Sequence, residues 1–231
     1  MLNQAIRHES RHLVFTSSIA VYGSGEPPLR EDHVPHPEDP YGIAKLAVEQ
    51  DIRAAHAMFG LPYTIFRPHN VYGEYQNVGD RYRNVIGIFM NQIMSGQPLS
   101  VFGDGLQTRA FSYIGDIIGP IARCVDVAGA QNETFNVGGD AVYSVRDLAE
   151  TVLRVTGSHS DLRFLPARNE VLHAFSDHSK AYGVFGAPGG VSLEDGLTRM
   201  WDWAKGRGPR QSKTFGAIEV ERNLPAFWME G

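Results

Sequence analysis

The sequence contains a single cysteine, Cys124, so no internal disulfide can form. Its neighbours Ile121, Ala122 and Val125 are apolar, which marks a buried thiol without a chemical role. There is no basic run, and 21 Lys and Arg against 26 Asp and Glu leave a net charge of −5, which argues against nucleic acid as a partner. No apolar stretch approaches membrane-spanning length, and Met1 to His12 lacks the apolar centre of a signal peptide, so we expect no membrane partner and a cytoplasmic protein. The nine histidines show no ligand spacing, so no metal is expected. A phosphate-cradling G-x-x-G-x-x-G turn, with an acidic residue about 20 positions later, is also missing. Gly23-Ser24-Gly25 comes nearest, but prolines follow it rather than a helix, and it reads as a turn.

What is present centres on Leu13 to Lys45. Leu13-Val14-Phe15-Thr16-Ser17-Ser18 is apolar, then small and polar, the pattern of a buried strand that delivers hydroxyls at its carboxyl end, where open α/β sheets place ligands. Pro40-Tyr41-Gly42-Ile43-Ala44-Lys45 opens a helix with Asp39 as its N-cap. Tyr41 and Lys45 stand four apart and so share one helix face. A free phenol, with a pKa of about 10, is a poor base at neutral pH, but a neighbouring ammonium favours the phenolate. In that setting Tyr41 takes a proton from a sugar hydroxyl that Ser18 holds, and Lys45 supports both the phenolate and a cofactor ribose. The Tyr-x-x-x-Lys spacing alone arises easily by chance on a surface helix. The order strand-Ser, Tyr-Gly, loop, Tyr-x-x-x-Lys is the specific signal.

The remaining elements follow from periodicity and punctuation. Residues 2 to 8 read as the last turns of a helix, Gly25 to Pro40 as a surface loop, and Ile43 to Phe59 as a helix stopped by Gly60. Its expected buried face is Ala44, Ala47, Val48, Ile52, Ala55 and Phe59. Tyr63 to Phe66 is a second strand, parallel to the first across this crossover helix. Beyond Gly73 we expect a helix over Val85 to Met94, strands at Leu99 to Phe102, Ala110 to Ile114 and Phe135 to Val137, and a helix over about Ile117 to Ala128. Ser144 to Asp147 is a capping box for a helix ending at Gly157, and Ser192 to Asp195 repeats it. The tail from Gly206 to Gly231 is Gly-, Pro- and charge-rich at first.

Thr16-Ser17-Ser18-Ile19-Ala20-Val21-Tyr22-Gly23 with Tyr41 and Lys45 resembles the extended short-chain dehydrogenase/reductase family, and most closely its UDP-glucose 4-epimerase branch. Arg67-Pro68-His69-Asn70-Val71-Tyr72-Gly73, Val101-Phe102-Gly103-Asp104-Gly105 and Thr108-Arg109 continue the likeness in the family's order. The resemblance implies an α/β chain: an incomplete Rossmann-like doubly wound parallel sheet with a small mixed α/β substrate-binding domain. It implies NAD as cofactor, and residues 1–73 as the C-terminal part of the NAD-binding domain. Residues 74–231 would then be mainly a UDP-sugar-binding region, with segments around 110–140 returning to the sheet. Ser18, Tyr41, Lys45, Pro68 and His69 are the implied cofactor contacts. Asn70, Asn84, Val85, Ser100, Phe102, Arg109 and Arg168 are the implied substrate contacts, with Phe102 at the uracil and the arginines near the phosphates. Family members begin with a strand and the Gly-rich turn, so the reading implies a chain without its cofactor cradle, inactive alone, paired as a homodimer or completed by a chain supplying the missing strands.

The implied reaction is epimerisation of UDP-glucose or UDP-galactose at C4 through a 4-keto sugar. Dehydratases of the family carry an acid pair after the strand hydroxyl, where this chain has Ile19 and Ala20, so loss of water is disfavoured. UDP-glucuronate epimerisation or decarboxylation is a second reading, and a non-catalytic sugar-nucleotide-binding remnant a third.

Overall fold

The computed structural model describes residues 1–80, 83–168 and 171–211. The chain begins with α1 (Leu2–Arg7), β1 (Leu13–Thr16), α2 (Pro40–Phe59), β2 (Tyr63–Pro68) and β3 (Val71–Tyr72). Next come α3 (Val85–Met94), β4 (Leu99–Phe102), β5 (Thr108–Ala110), β6 (Ser112–Tyr113), α4 (Ile114–Arg123) and β7 (Glu133–Val137). The last elements are β8 (Val142–Ser144), α5 (Val145–Thr156), β9 (Leu162–Leu165), β10 (His173–Ala174), α6 (Ser179–Phe185) and α7 (Leu193–Lys205). Two compact units are interleaved along the chain: residues 1–71, 108–143 and 171–192 form one, and 72–107, 144–170 and 193–231 the other. The return of 171–192 to the first unit was not expected from the sequence. Much of the expected tail, from 212 onward, lies outside the described residues.

The first unit is built on a parallel sheet in the order β1-β2-β7. Leu13 to Thr16 pair with Tyr63 to Phe66, and Thr64 to Pro68 with Glu133 to Val137. Central β2 is buried on both faces, as a strand covered by helices on either side must be. Tyr63 and Ile65 point one way, into a cluster with Ile52 of α2 and Leu2 of α1. Phe66 points the other way, with Phe135, Ile117 of α4 and Ala181 of α6. Helices on both faces of a parallel sheet make the unit doubly wound. Removing Ile65 or Phe66 fully from water contributes about 1.5–3 kcal/mol each. Cys124 packs in the second cluster, its thiol donating to the Ile121 carbonyl at 3.1 Å, and burial pushes that thiol above its ordinary range.

The second unit sets the parallel pair β4–β9 against α3, α5 and α7. Phe89, Met90, Leu99, Val101, Leu148, Val152, Leu197 and Met200 are its buried core. Ser144 and Asp147 form the full capping box of α5, and Gly157 closes that helix in the left-handed conformation.

Helix α2 corrects the expected burial. Asp39 caps it, accepting from the Gly42 amide at 2.7 Å, and Gly60 ends it in the left-handed region. The face it buries carries Gly42, Glu49, Ile52 and Ala55. Ala44, Ala47, Val48 and Phe59 are exposed instead. The reason is a partner that local periodicity cannot see, namely Arg67 on β2, which draws Glu49 inward. The expected strand at Ala110 to Ile114 is two short strands, and the helix after it starts at Ile114 and ends at Arg123.

Candidate active site

In the first unit, the carboxyl end of β1 runs into a short 3₁₀ turn over Ile19–Tyr22, capped by Ser18, whose hydroxyl accepts from the Ala20 amide at 3.1 Å. The start of α2 lies directly on this turn. A Cβ at Gly42 would stand 2.5 Å from the Ala20 carbonyl oxygen, so only glycine allows the approach that brings Tyr41 to the strand end. Lys45, one helical turn on, donates from Nζ to the Thr16 carbonyl at 2.7 Å, two residues before Ser18. Its ammonium lies 5.6 Å from the Tyr41 ring centre and 5.0 Å from that of Phe15. Tyr41 is 56% exposed, so its phenol is open to a ligand. Ser18, Tyr41 and Lys45 thus meet at one strand end, and this hydroxyl, phenol and ammonium are donors and acceptors that fit a nicotinamide riboside and a sugar hydroxyl.

Beside them, β2 ends at Pro68. Ladder pairing closes at Thr16 with Phe66, and the Ser17 amide still donates to the Phe66 carbonyl at 2.6 Å, so Ser18 and the Pro68-His69-Asn70 turn are neighbours. The Pro68 ring is half-buried and His69 is buried. Asn70 has φ +40° and is exposed, with its side-chain Nδ2 donating to the Ala110 carbonyl at 3.0 Å. Arg109 donates from Nη1 to the carbonyls of Thr108 at 2.8 Å and Leu172 at 3.0 Å.

The trio rests on a buried charge network. Arg67 donates to both Glu49 carboxylate oxygens, and its other nitrogen donates to the Tyr22 hydroxyl at 2.7 Å. Tyr22 in turn donates to Asn136 Oδ1 at 2.9 Å. Burial alone would raise the Glu49 carboxyl, yet the Arg67 guanidinium holds it below the usual carboxylate range. Burial pushes the Tyr22 phenol up against the pull of the same guanidinium.

In the second unit, Phe102 and Arg168 come together, the guanidinium carbon lying 3.4 Å from the ring centre. Ser100 is held by the Gln92 side chain, which donates to its hydroxyl at 2.9 Å and accepts from its amide at 3.2 Å. Asn84 stands at φ +65° before α3 and is exposed, and Val85, the first residue of that helix, is half-buried. Asn169 and Glu170 lie outside the described residues. Sequence reasoning missed His178, Asp140 and Tyr182, which converge on His69. The only local signal was Gly138-Gly139-Asp140 directly after a buried strand.

Residues 1–138 match the model of the NAD-dependent epimerase/dehydratase family. The chain belongs to that family. A UDP-glucose 4-epimerase of Thermotoga maritima, solved with UDP-glucose, is similar at 29% identity and a TM-score of 0.83, over 89% of this chain and 67% of that one. A UDP-glucuronic acid 4-epimerase of Bacillus cereus, solved with UDP-glucuronic acid and NAD, is similar at 30% identity and a TM-score of 0.82, over 89% and 65%. A UDP-N-acetyl-alpha-D-glucosaminuronate decarboxylase of Bacillus cytotoxicus is 30% identical over 213 residues, 87% of this chain and 65% of that protein. The chain spans about two thirds of the length of these relatives. These neighbours share the Rossmann architecture that the doubly wound unit displays. Among the described residues, no helix is long and apolar enough to cross a membrane and no group of three or more metal-ligating side chains occurs.

Proposed function

We propose that this chain carries the proton-transfer and sugar-nucleotide-binding parts of an NAD-dependent UDP-sugar 4-epimerase. The observation that supports it most is the meeting of Ser18, Tyr41 and Lys45 at the carboxyl end of β1. Tyr41, exposed at the strand end, takes the proton from the C4 hydroxyl and later returns it. Ser18 holds that hydroxyl in line. Lys45, anchored on the Thr16 carbonyl, places a positive charge beside the phenol and reaches the cofactor ribose. NAD, when bound, supplies reversible hydride exchange at C4, and the residues that would hold its nicotinamide half are Ser18, Tyr41, Lys45, Pro68 and His69. A cradle for its phosphates is not among the motifs of this sequence.

We assign residues 1–73 to the cofactor domain, and most of 74–231, except the segments around 110–140 and the returning 171–192, to holding the UDP-sugar. Asn70, Asn84, Val85, Ser100, Phe102, Arg109 and Arg168 are the proposed contacts, with the Phe102 ring facing the uracil and the arginines the phosphates. Ile19 and Ala20 leave no acid pair for loss of water, which favours epimerisation over dehydration. Ile43, Val48, Met58 and Phe59, which α2 leaves exposed, support pairing of two copies along this helix. A sugar carboxylate in place of the C6 hydroxyl is a second reading, supported by the equal likeness to the glucuronate epimerase and the decarboxylase.

The test is mass spectrometry of the denatured, purified chain for NAD, followed by a UDP-galactose to UDP-glucose assay with and without added NAD. Turnover that disappears in Tyr41→Phe supports the epimerase. UDP binding with neither NAD nor turnover would replace it with a sugar-nucleotide-binding protein.

A further inference from the structure

The side chains of His69, His178 and Asp140, all of the first unit, meet behind the Pro68-His69-Asn70 turn. His69 and His178 are 3% and 2% exposed, and their Nε2 atoms stand 3.0 Å apart. The ring planes differ by 22° and the ring centres lie 5.1 Å apart. That separation is close to the nitrogen gap plus the two ring radii, so the imidazoles meet edge to edge through these nitrogens.

The outer nitrogens fix the hydrogen count. His69 Nδ1 lies 2.9 Å from the Ala110 carbonyl oxygen, which can only accept, so this nitrogen carries a hydrogen. His178 Nδ1 lies 2.6 Å from Asp140 Oδ1. Asp140 is an exposed carboxylate whose second oxygen accepts from the Tyr182 hydroxyl at 2.8 Å, so His178 Nδ1 carries a hydrogen as well. If both rings were neutral, two bare Nε2 lone pairs would face each other at 3.0 Å in a buried site, which is repulsive. A third hydrogen between them removes the conflict.

We propose that His69 and His178 share one extra proton, countercharged by Asp140, and that His178 is thereby the positioning residue of the Pro68-His69-Asn70 turn. The importance of that turn rests on the epimerase reading, whereas the proton count does not. The other charged groups facing the pair favour a cation, since Asp177 adjoins His178 and Asp116 acts on Tyr182, with Arg30 beyond Asp177. Burial, and then the charge of His178, holds His69 down to about 4. The Ser176 hydroxyl, 3.1 Å from His178 Nε2, is free to accept from an N–H there.

The fold is shaped to keep this contact. A Cβ at Gly138 would stand 2.2 Å from His69 Nε2, so glycine there leaves the imidazole its place. Ser112 donates to the His69 carbonyl at 2.6 Å, fixing the backbone of the ring that the proton fixes by its edge. The Asp177 amide donates to the Leu29 carbonyl at 2.9 Å and so anchors the segment that presents His178.

The experiment is long-range ¹H–¹⁵N NMR of the imidazoles in the full chain, titrated from pH 8 to pH 4. The expected result at pH 7 is one imidazole of the pair protonated on both nitrogens beside another with a bare Nε2. Two neutral rings at pH 7 would overturn the shared proton. Asp140→Asn, at the exposed rim, should lower the pH range in which the shared proton is held by about one unit or more, and an unchanged titration would also count against the proposal. Positioning is read from amide hydrogen exchange at His69 and Asn70. Exchange should quicken about tenfold in His178→Phe and recover in His178→Asn, which keeps a donor, whereas equal exchange in parent and both variants would remove the positioning role. Should His178→Phe fail to fold, exchange at the same two amides in Asp140→Asn decides, an unchanged rate again removing that role. Absence of NAD binding in the parent chain would defeat the epimerase reading and leave each of these outcomes interpretable.

Discussion

Arg67 grips Glu49 with two parallel hydrogen bonds, Nε to Oε1 at 2.9 Å and Nη2 to Oε2 at 2.6 Å, and both side chains are almost wholly buried. Glu49 lies one helical turn beyond Lys45, which lies one turn beyond Tyr41, so the pair ties the helix that bears the proposed base to the strand that ends at the Pro68-His69-Asn70 turn. Such a pair is dear to break because removing one charge leaves the other buried alone. Glu49→Gln should destabilise the chain by about 3–5 kcal/mol in urea unfolding. Replacing both residues together, Glu49→Leu with Arg67→Met, should recover most of that loss. A single-variant loss under about 1 kcal/mol would show that the pair does not hold the helix.

Tyr41→Phe removes only a hydroxyl that is exposed, so the thermal midpoint should stay within a degree or two. In an assay where a second chain supplies the missing strands, epimerase turnover should fall by about 100-fold or more, the scale of a lost acid–base group. Full activity in this variant would exclude Tyr41 as the base.

His69 gives a pH prediction with a definite sign. Its folded-state value of about 4 lies below the ordinary histidine value of 6.5, so the folded chain binds fewer protons than the unfolded chain between those values. Its contribution is complete above about pH 6.5, fades as the pH falls, and is gone below about pH 4. The total is on the order of 3 kcal/mol. Urea unfolding between pH 4 and pH 7 should show this slope, and His69→Gln should flatten it. The same slope in both proteins would assign it to other groups.

Gly138→Ala places a methyl where the His69 ring stands, and should cost about 1–3 kcal/mol. His69→Ala in the same chain should relieve most of the clash, so the two changes together should be less harmful than their sum. Additive losses in calorimetry would mean that the ring and the methyl never meet.

Phe102 and Arg168 supply the test in the second unit. Phe102→Ala removes the ring on which the guanidinium rests, and should weaken UDP binding about tenfold in calorimetric titration. Unchanged UDP affinity would move the uracil elsewhere.

Much of the fold was legible from local chemistry. Asp39, Gly60, Ser144, Asp147 and Gly157 announce helix ends because each satisfies a backbone group within a few residues, and the structure uses all five as caps. The strand–loop–helix order that suggested Ser18, Tyr41 and Lys45 is likewise local. The buried side of α2 was not legible, because Glu49 looks like a solvent residue until Arg67 is placed opposite it. His69 was named as a cofactor contact, but its pairing with His178 was not legible, since that ring partner lies 109 residues along the chain and no periodicity links the two. Short strands such as His173–Ala174 exist only through their neighbour Thr108–Arg109 and carry no pattern of their own.

The interleaving of the two units has a consequence for how the chain is made. When β2 leaves the ribosome, its partner β7 is still four strands and two helices away, and at about 5–20 residues per second that is a wait of seconds. His178, which closes on His69, emerges later still. Neither unit can finish in the order of synthesis, because each needs its third segment. During translation the β2 surface that later meets β7, Phe135 and α6 is therefore the nascent stretch most in need of a chaperone's cover.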